Sequence, residues 1–350
     1  MKIKSDPFKT EYLFFNCQIG SEPALKKELS LKYSFLRLSY SRPGFLTFKG
    51  PSEKLTLDLK LDLIFAQSYG LCLGRTQRAE LTGRLRKLEL NKKVRVHSWL
   101  APLKKIDPKA KTETLPRNSE LEIECYDNPL AQEGEIVLSL IFLPKDEIWI
   151  GAHRHSAPHL SYPGGLFTET PPPQAPSRAY LKIKEAVLWT GTQLRSSDLA
   201  IEIGSAPGGA SYFLLSQGLR VIGIDPGEMA ESVLHFDKNQ FMHIRESVTQ
   251  IALDPLPKNA DWILLDMNVR PEKALLSAER LVKYYKNSIL GVFLTLKLNE
   301  WELVDQIPEW KKRIQRLDLR HVQARQLSTN AREICLAGFT HAGLTRLRKI

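Results

Sequence analysis

The sequence predicts an α/β fold: an open, mostly parallel sheet with helices on both faces, preceded by a smaller α+β domain. Three observations carry this. Residues 201–225, IEIGSAPGGASYFLLSQGLRVIGID, read as strand, glycine-rich turn, helix, second strand and terminal aspartate. Apolar strand-length runs downstream alternate with helical patterns, the crossovers that parallel strands need. A run of three prolines in SYPGGLFTETPPPQAP forms a stiff spacer that divides this half from what precedes it. The expected organisation is an α+β domain over 1–160, a proline-rich linker over 161–176 and the α/β domain over 177–350.

Taken in order, GSEPALKKELSLKY reads as a helix, and FLTFKG and LEIECYD as short strands. EIVLSLIFLP and EIWIGAHR complete the pattern of a small α+β module. After the prolines come a helix over Arg178–Trp189, a strand over Leu199–Ile203, the turn and its helix, and a strand over Val221–Ile224. A strand at Trp262–Leu265 follows, then a helix near Lys273–Tyr284 and a strand at Ile289–Leu296. A helix near Glu300–Ile314 and a closing strand at Glu333–Phe339 end the series.

At 350 residues the chain has room for two cores, and its net charge of +11 favours polyanionic partners. The excess concentrates between Arg84 and Lys111, where ten Lys/Arg face two acids, Glu89 and Asp107. That stretch is either a solvated face or a track for a phosphate backbone. Four scattered cysteines without a C-x-x-C pair point to a reducing cytoplasm. The first residues carry early charges and no long apolar core, so no signal peptide is expected, and no apolar run approaches a membrane span. His153, His155 and His159 lie in an irregular segment without cysteines or a helical H-x-x-x-H face, so no metal is expected there.

The turn Gly204-Ser205-Ala206-Pro207-Gly208-Gly209 suits a ligand that the backbone approaches closely. Asp225, ~20 residues on, is spaced to accept hydrogen bonds from both ribose hydroxyls of an adenosine-containing cofactor. NAD fits poorly, because the second glycine of its fingerprint is Ala206 here and Pro207 stands where the diphosphate would lie. S-adenosylmethionine has no phosphate and needs only the close backbone. The turn resembles the first motif of the Rossmann-like methyltransferases.

Four polar residues stand at expected element ends: Lys182 in SRAYLKIKEA, Asp266 ending WILLD, Lys297 ending ILGVFLTLK, and Glu333 opening EICLAGF. Each alone has an ordinary structural explanation. Together they resemble the K-D-K-E set of the FtsJ-like RNA 2′-O-ribose methyltransferases, in the family's order. PSRAYLKIKEA, GSAPGG, IDPGEM and QARQL…REI are similar to its bacterial branch acting on large-subunit rRNA cytidine. The match is strong over about 170–340, with weaker echoes in SRPGFLTF and LIFAQSYG. The resemblance implies S-adenosylmethionine as cofactor, held by Gly204, Ala206, Pro207, Gly208, Gly209, Asp225, Ser247 and Asp266. It implies an rRNA or ribosome-assembly substrate, Lys297 as proton acceptor, Asp266 and Lys182 in positioning and charge balance, and Glu333 in orientation. It also implies a ferredoxin-like unit and a THUMP-type RNA-binding module in the first half, here shortened. The protein is expected to work as a monomer.

Two positions depart from the family pattern: Ser247 replaces an acid at the adenine end, and Ala179 replaces a serine near the methionine moiety. Base-nitrogen methylation fits less well, since Asp266-Met267-Asn268-Val269 lacks the polar-Pro-Pro-aromatic loop. Cytosine carbon-5 methylation needs a cleft cysteine, and Cys335 reads as a buried strand residue. Two other readings stay open: a non-catalytic RNA-binding protein of the same fold, and a methyltransferase with a substrate other than rRNA.

Overall fold

The computed structural model describes residues 6–90, 92–101, 115–157, 159–237 and 239–348. The chain forms two compact units, Met1–Thr168 and Glu169–Ile350.

The first unit holds strands β1 (Tyr12–Cys17), β2 (Arg37–Arg42), β3 (Phe45–Lys49), β4 (Ala66–Gln77), β5 (Arg95–Leu100), β6 (Ile136–Phe142) and β7 (Glu147–Arg154). Helices α1 (Glu22–Lys32) and α2 (Leu81–Arg86) accompany them. The sheet order is β2-β3-β1-β4-β7-β6-β5. Among the described strands of this sheet only the β5–β6 pair is parallel. Strand β1 is buried on both faces from Leu13 to Cys17, so its sequence shows no period-2 signal. LEIECYD, expected as a strand, contributes only a single bridge, Val94 to Cys125. Its Glu122 adopts a positive φ of 54°, which breaks an extended run.

The segment expected to begin the linker at 161 belongs to the first unit up to Thr168. Tyr162, Gly164, Gly165 and Phe167 are buried. The Gly164 carbonyl accepts a 3.0 Å hydrogen bond from Asn16 Nδ2 of β1. A side chain at Gly165 would meet the Gln67 carbonyl oxygen at 2.1 Å. Close packing on the sheet therefore explains YPGG better than a spacer role does.

The second unit runs α3 (Ala179–Thr190), β8 (Leu199–Ile203), α4 (Gly209–Ser216), β9 (Arg220–Ile224), α5 (Glu231–Leu234), β10 (Phe241–Ile244) and β11 (Trp262–Asp266). It continues with α6 (Pro271–Tyr284), β12 (Gly291–Lys297), α7 (Ile307–Gln315), β13 (His321–Arg325), β14 (Glu333–Phe339) and α8 (His341–Leu344). The sheet order is β10-β9-β8-β11-β12-β14-β13. Strands β8 to β12 pair in parallel, and β14 is antiparallel to both of its neighbours. The strand order reverses between β8 and β11, which opens a crevice at their carboxyl ends.

Trp262, Phe293, Phe339, Phe213 and Leu214 anchor the core. Trp262 Nε1 donates to Asp198 Oδ2 at 2.9 Å, and Arg346 donates to the same oxygen at 2.6 Å. The helix expected near Glu300–Ile314 is two elements, a 3-10 turn over Trp301–Gln306 and then α7. Pro308 sits in the first turn of α7, where its missing N–H costs nothing. In the second unit the two strands that the sequence did not reveal, β10 and β13, are the sheet's edges, short and partly polar.

Candidate active site

The four charged residues marked in the sequence meet at the crevice. Lys182 projects from the first turns of α3; Asp266 and Lys297 close β11 and β12; Glu333 opens β14. Register explains the meeting. Lys297 lies directly opposite Glu333 in the antiparallel pair, and β11 and β12 run in parallel, with Asp266 opposite Thr295. Lys182 Nζ contacts Asp266 Oδ2 at 2.8 Å and Glu333 Oε1 at 2.7 Å. Lys297 Nζ contacts Asp266 Oδ1 at 2.9 Å and Glu333 Oε2 at 2.5 Å. Each carboxylate oxygen takes one ammonium, so charges alternate around a closed ring.

The ring is largely desolvated, with Glu333 only 5% exposed at its side chain. Burial alone would raise the Glu333 carboxyl pKa, but the two ammonium groups overcome it and hold that pKa below the ordinary value. Burial likewise opposes the Lys297 charge, yet Asp266 and Glu333 win and raise its pKa above the usual lysine value. In this arrangement Lys297 is protonated.

The glycine turn adjoins the ring. Gly204 has φ 76°, and a β-carbon there would lie 2.5 Å from the Asp266 carbonyl oxygen, so the end of β8 touches the end of β11 only through glycine. Gly208 is the left-handed N-cap of α4. At Gly209 a β-carbon would lie 2.1 Å from Ser177 Oγ, so α4 starts hard against the start of α3. The Pro207 carbonyl accepts from Ala230 N at 3.0 Å, which ties the turn to the segment before α5. Asp225 follows β9; its Oδ1 accepts from Gly227 N at 2.7 Å, and its carbonyl lies 3.0 Å from His243 Nε2. Ser247, past β10, is half-buried, with its hydroxyl 2.9 Å from that of Thr249. Ala206 stands in the same turn, 3.1 Å from where a Gly227 β-carbon would be. A close-approach turn, a helix N-terminus and a fixed aspartate at the next strand end fit an adenosine-bearing cofactor.

Sequence reasoning missed three buried polar residues around this centre. Glu202, in the middle of β8, is 2% exposed and accepts a hydrogen bond from Ser211 Oγ of α4. Burial pushes its carboxyl up to about 8. Asn330 donates from Nδ2 to Glu333 Oε1 at 3.2 Å. Glu185, wholly buried on α3, accepts from the backbone N–H groups of Ser328 and Thr329. The only sequence signal for Glu202 is one acid inside an apolar strand; Glu185 follows Lys182 by one helical turn.

Several first-half candidates have structural roles. Arg95, inside the basic stretch, is buried in a bidentate pair with Glu135, at 2.6 and 2.9 Å. Arg84, Arg86, Lys87, Lys92 and Lys93 are exposed. Lys104, Lys105, Asp107, Lys109 and Lys111 lie outside the described residues. His153 and His155 are buried beside His97, and His153 stacks on His159 at 4.2 Å. Among the described residues no group of three or more His, Cys, Asp or Glu is arranged to hold a metal ion.

Residues 175–307, which lie within the second unit, match the FtsJ-like methyltransferase family. Along nearly its whole length the chain is similar to the ribosomal RNA large subunit methyltransferase M of Tolumonas auensis. The two share 25% identity over 371 residues, covering 96% of this chain and 98% of that protein. The protein of the same name from Psychromonas ingrahamii is 32% identical over 214 residues, 58% of this chain and 57% of that one.

Proposed function

We propose that the protein is an S-adenosylmethionine-dependent RNA 2′-O-ribose methyltransferase acting on large-subunit rRNA, at a cytidine. The observation that carries this is the closed Lys182–Asp266–Lys297–Glu333 ring packed against the Gly204 turn. Gly204, Ala206, Pro207, Gly208 and Gly209 form the wall for the methionine part, Asp225 receives the ribose, and Ser247 lies at the adenine end. Bound there, the cofactor supplies an electrophilic methyl group on a positively charged sulfur.

A ribose hydroxyl is a weak nucleophile and must lose its proton as it attacks. Lys297 accepts that proton after releasing its own to solvent. Lys182 balances charge across the ring, Asp266 bridges the two lysines, and Glu333 fixes Lys297 from the opposite strand. An acceptor held in the crevice beside the donor would gain much of its rate from proximity.

The first unit contributes RNA affinity through exposed basic groups, among them Arg86, Lys87, Lys92 and Lys93. The four cysteines are reduced, which suits a cytoplasmic protein, and the same reading has it act as a monomer. No helix among the described residues is long and apolar enough to cross a membrane.

The test maps ribose methylation across rRNA with and without the gene and measures cofactor binding by calorimetry. Loss of one large-subunit 2′-O-methyl mark is expected. Cofactor binding without any lost mark would favour the non-catalytic reading, and no binding at millimolar ligand would end both.

A further inference from the structure

The loop from Gln326 to Arg332, between β13 and β14, is braced at almost every residue. Gln326 Nε2 donates to the Ala331 carbonyl at 3.0 Å, and Asn330 Oδ1 accepts from Leu327 N at 2.8 Å. Glu185 of α3 grips the next two residues. Its Oε1 accepts from Ser328 N at 2.8 Å; its Oε2 accepts from Thr329 N at 2.9 Å and Thr329 Oγ1 at 2.7 Å. Arg332 O accepts from Leu298 N at 2.7 Å, beside the Lys297–Glu333 pair.

A surface loop does not need a wholly buried carboxylate, because burying that charge is costly unless its hydrogen bonds are filled. This one fills them, and the loop it holds ends in Glu333. Asn330, 5% exposed, spends its amide on Glu333 Oε1, the oxygen that also faces Lys182.

We propose that Asn330 is a positioning residue for methyl transfer: as a neutral donor it holds Glu333 in place while the ring changes charge, and Glu185 anchors the loop that carries it. The inference rests on the methyltransferase reading above. When Lys297 is neutral, Glu333 loses one of its two ammonium partners and is drawn towards Lys182. The Asn330 amide carries no charge to lose and donates to Glu333 in either state, so Glu333 stays opposite Lys297. The charged groups on Lys297 are Asp266 on β11 and Glu333 on β14, both also paired with Lys182 on α3; the buried Cys335 thiol and Glu202 each interact electrostatically with Asp266.

The test uses the full chain and two variants. Asn330→Asp keeps the acceptor for Leu327 N but sets a carboxylate against Glu333. The apparent pKa for Lys297 deprotonation should rise by about one unit, since a like charge nearby favours the protonated lysine. Two readouts report it: the pH profile of single-turnover methyl transfer, and pH-dependent amine labelling of Lys297 followed by mass spectrometry. The labelling needs no activity. Asn330→Ala should lower the transfer rate ~10-fold or more at saturating RNA with S-adenosylmethionine affinity unchanged.

A wild-type labelling midpoint that Asn330→Asp leaves in place overturns the proposal. So does an Asn330→Ala rate within twofold of wild type, or a loss that merely tracks weaker cofactor binding or melting. Absence of transfer by the wild-type chain instead refutes the methyltransferase reading, and the labelling midpoint still decides the role of Asn330.

Discussion

Glu202 offers a stability test of how the sheet of the second unit is built. Its carboxyl lies mid-strand beneath α4, and burial, opposed by Ser211 and helped by Asp266 and Asp225, raises its pKa from 4.5 to about 8. The folded second unit therefore keeps this proton at pH values where the unfolded chain has shed it. Because the folded state binds more protons, stability falls as pH rises between about 4.5 and 8 and is flat outside that window. At ~1.4 kcal/mol per unit the ceiling is about 5 kcal/mol, a large part of what holds a domain together. Glu202→Gln keeps the shape and removes the titration. The variant should match wild type near pH 5 and exceed it by several kcal/mol near pH 8, the full ionisation penalty being an upper bound. Hydrogen exchange on peptides from β8 and α4, corrected for intrinsic rates across pH 5–9, reads the second unit without interference from the first. An unchanged pH slope in the glutamine variant would refute the assignment of a buried proton to Glu202.

Other expectations follow from neighbouring geometry. Lys297→Ala should cut ribose methylation by roughly 10²–10⁴ with donor affinity nearly unchanged, and Lys297→Arg should not rescue, since guanidinium keeps its proton; robust transfer by the arginine variant in single-turnover assays would move the base to Lys182. Gly209→Ala, whose new methyl would meet Ser177 Oγ at 2.1 Å, should cost about 1–3 kcal/mol in urea unfolding and weaken cofactor binding. In the first unit burial holds His97 down to about 3 and His153 far below its ordinary value, so the folded state binds fewer protons than the unfolded one. That unit should lose stability as pH falls from 6.5 towards 3, and His153→Leu should blunt the loss; equal acid midpoints for wild type and variant, measured by exchange on β6 and β7 peptides, would exclude the cluster as the cause.

The second unit was legible because its signals are local. Each parallel strand is a short apolar run, and the ligand turn lies in six consecutive residues, Gly204 to Gly209. Lys182, Asp266, Lys297 and Glu333 were recognisable as a set only through resemblance, since 151 positions separate the first from the last (333 − 182). What brings them together is sheet order and register, neither of which the sequence prints. The first unit was less legible for a physical reason. Strand β1 is buried on both faces, β4 carries glycines within its span, and YPGG reads as the start of the proline spacer although it packs on the sheet. Arg95 shows the same limit: within a basic run it reads as surface charge, yet Glu135 takes it out of solvent.

The charge state of Lys297 was the least legible feature, and the reason bears on how the site works. A lone lysine at a dry strand end would have its pKa lowered by burial, which is what a proton acceptor needs. Here two carboxylates reverse that effect, and the ring, with two ammonium and two carboxylate groups, is electrically neutral with Lys297 protonated. Such a ring is inert towards a hydroxyl. One further positive charge beside it changes the sign of the problem, because losing the Lys297 proton then restores neutrality in a region where unbalanced charge is expensive. Basicity would thus be released only when the methyl donor is in place, and Lys297 in the free protein should titrate above the ordinary lysine range. A free-protein Lys297 that already titrates near neutrality would show that the carboxylates do not govern it, and the coupling between donor binding and proton release would have no basis.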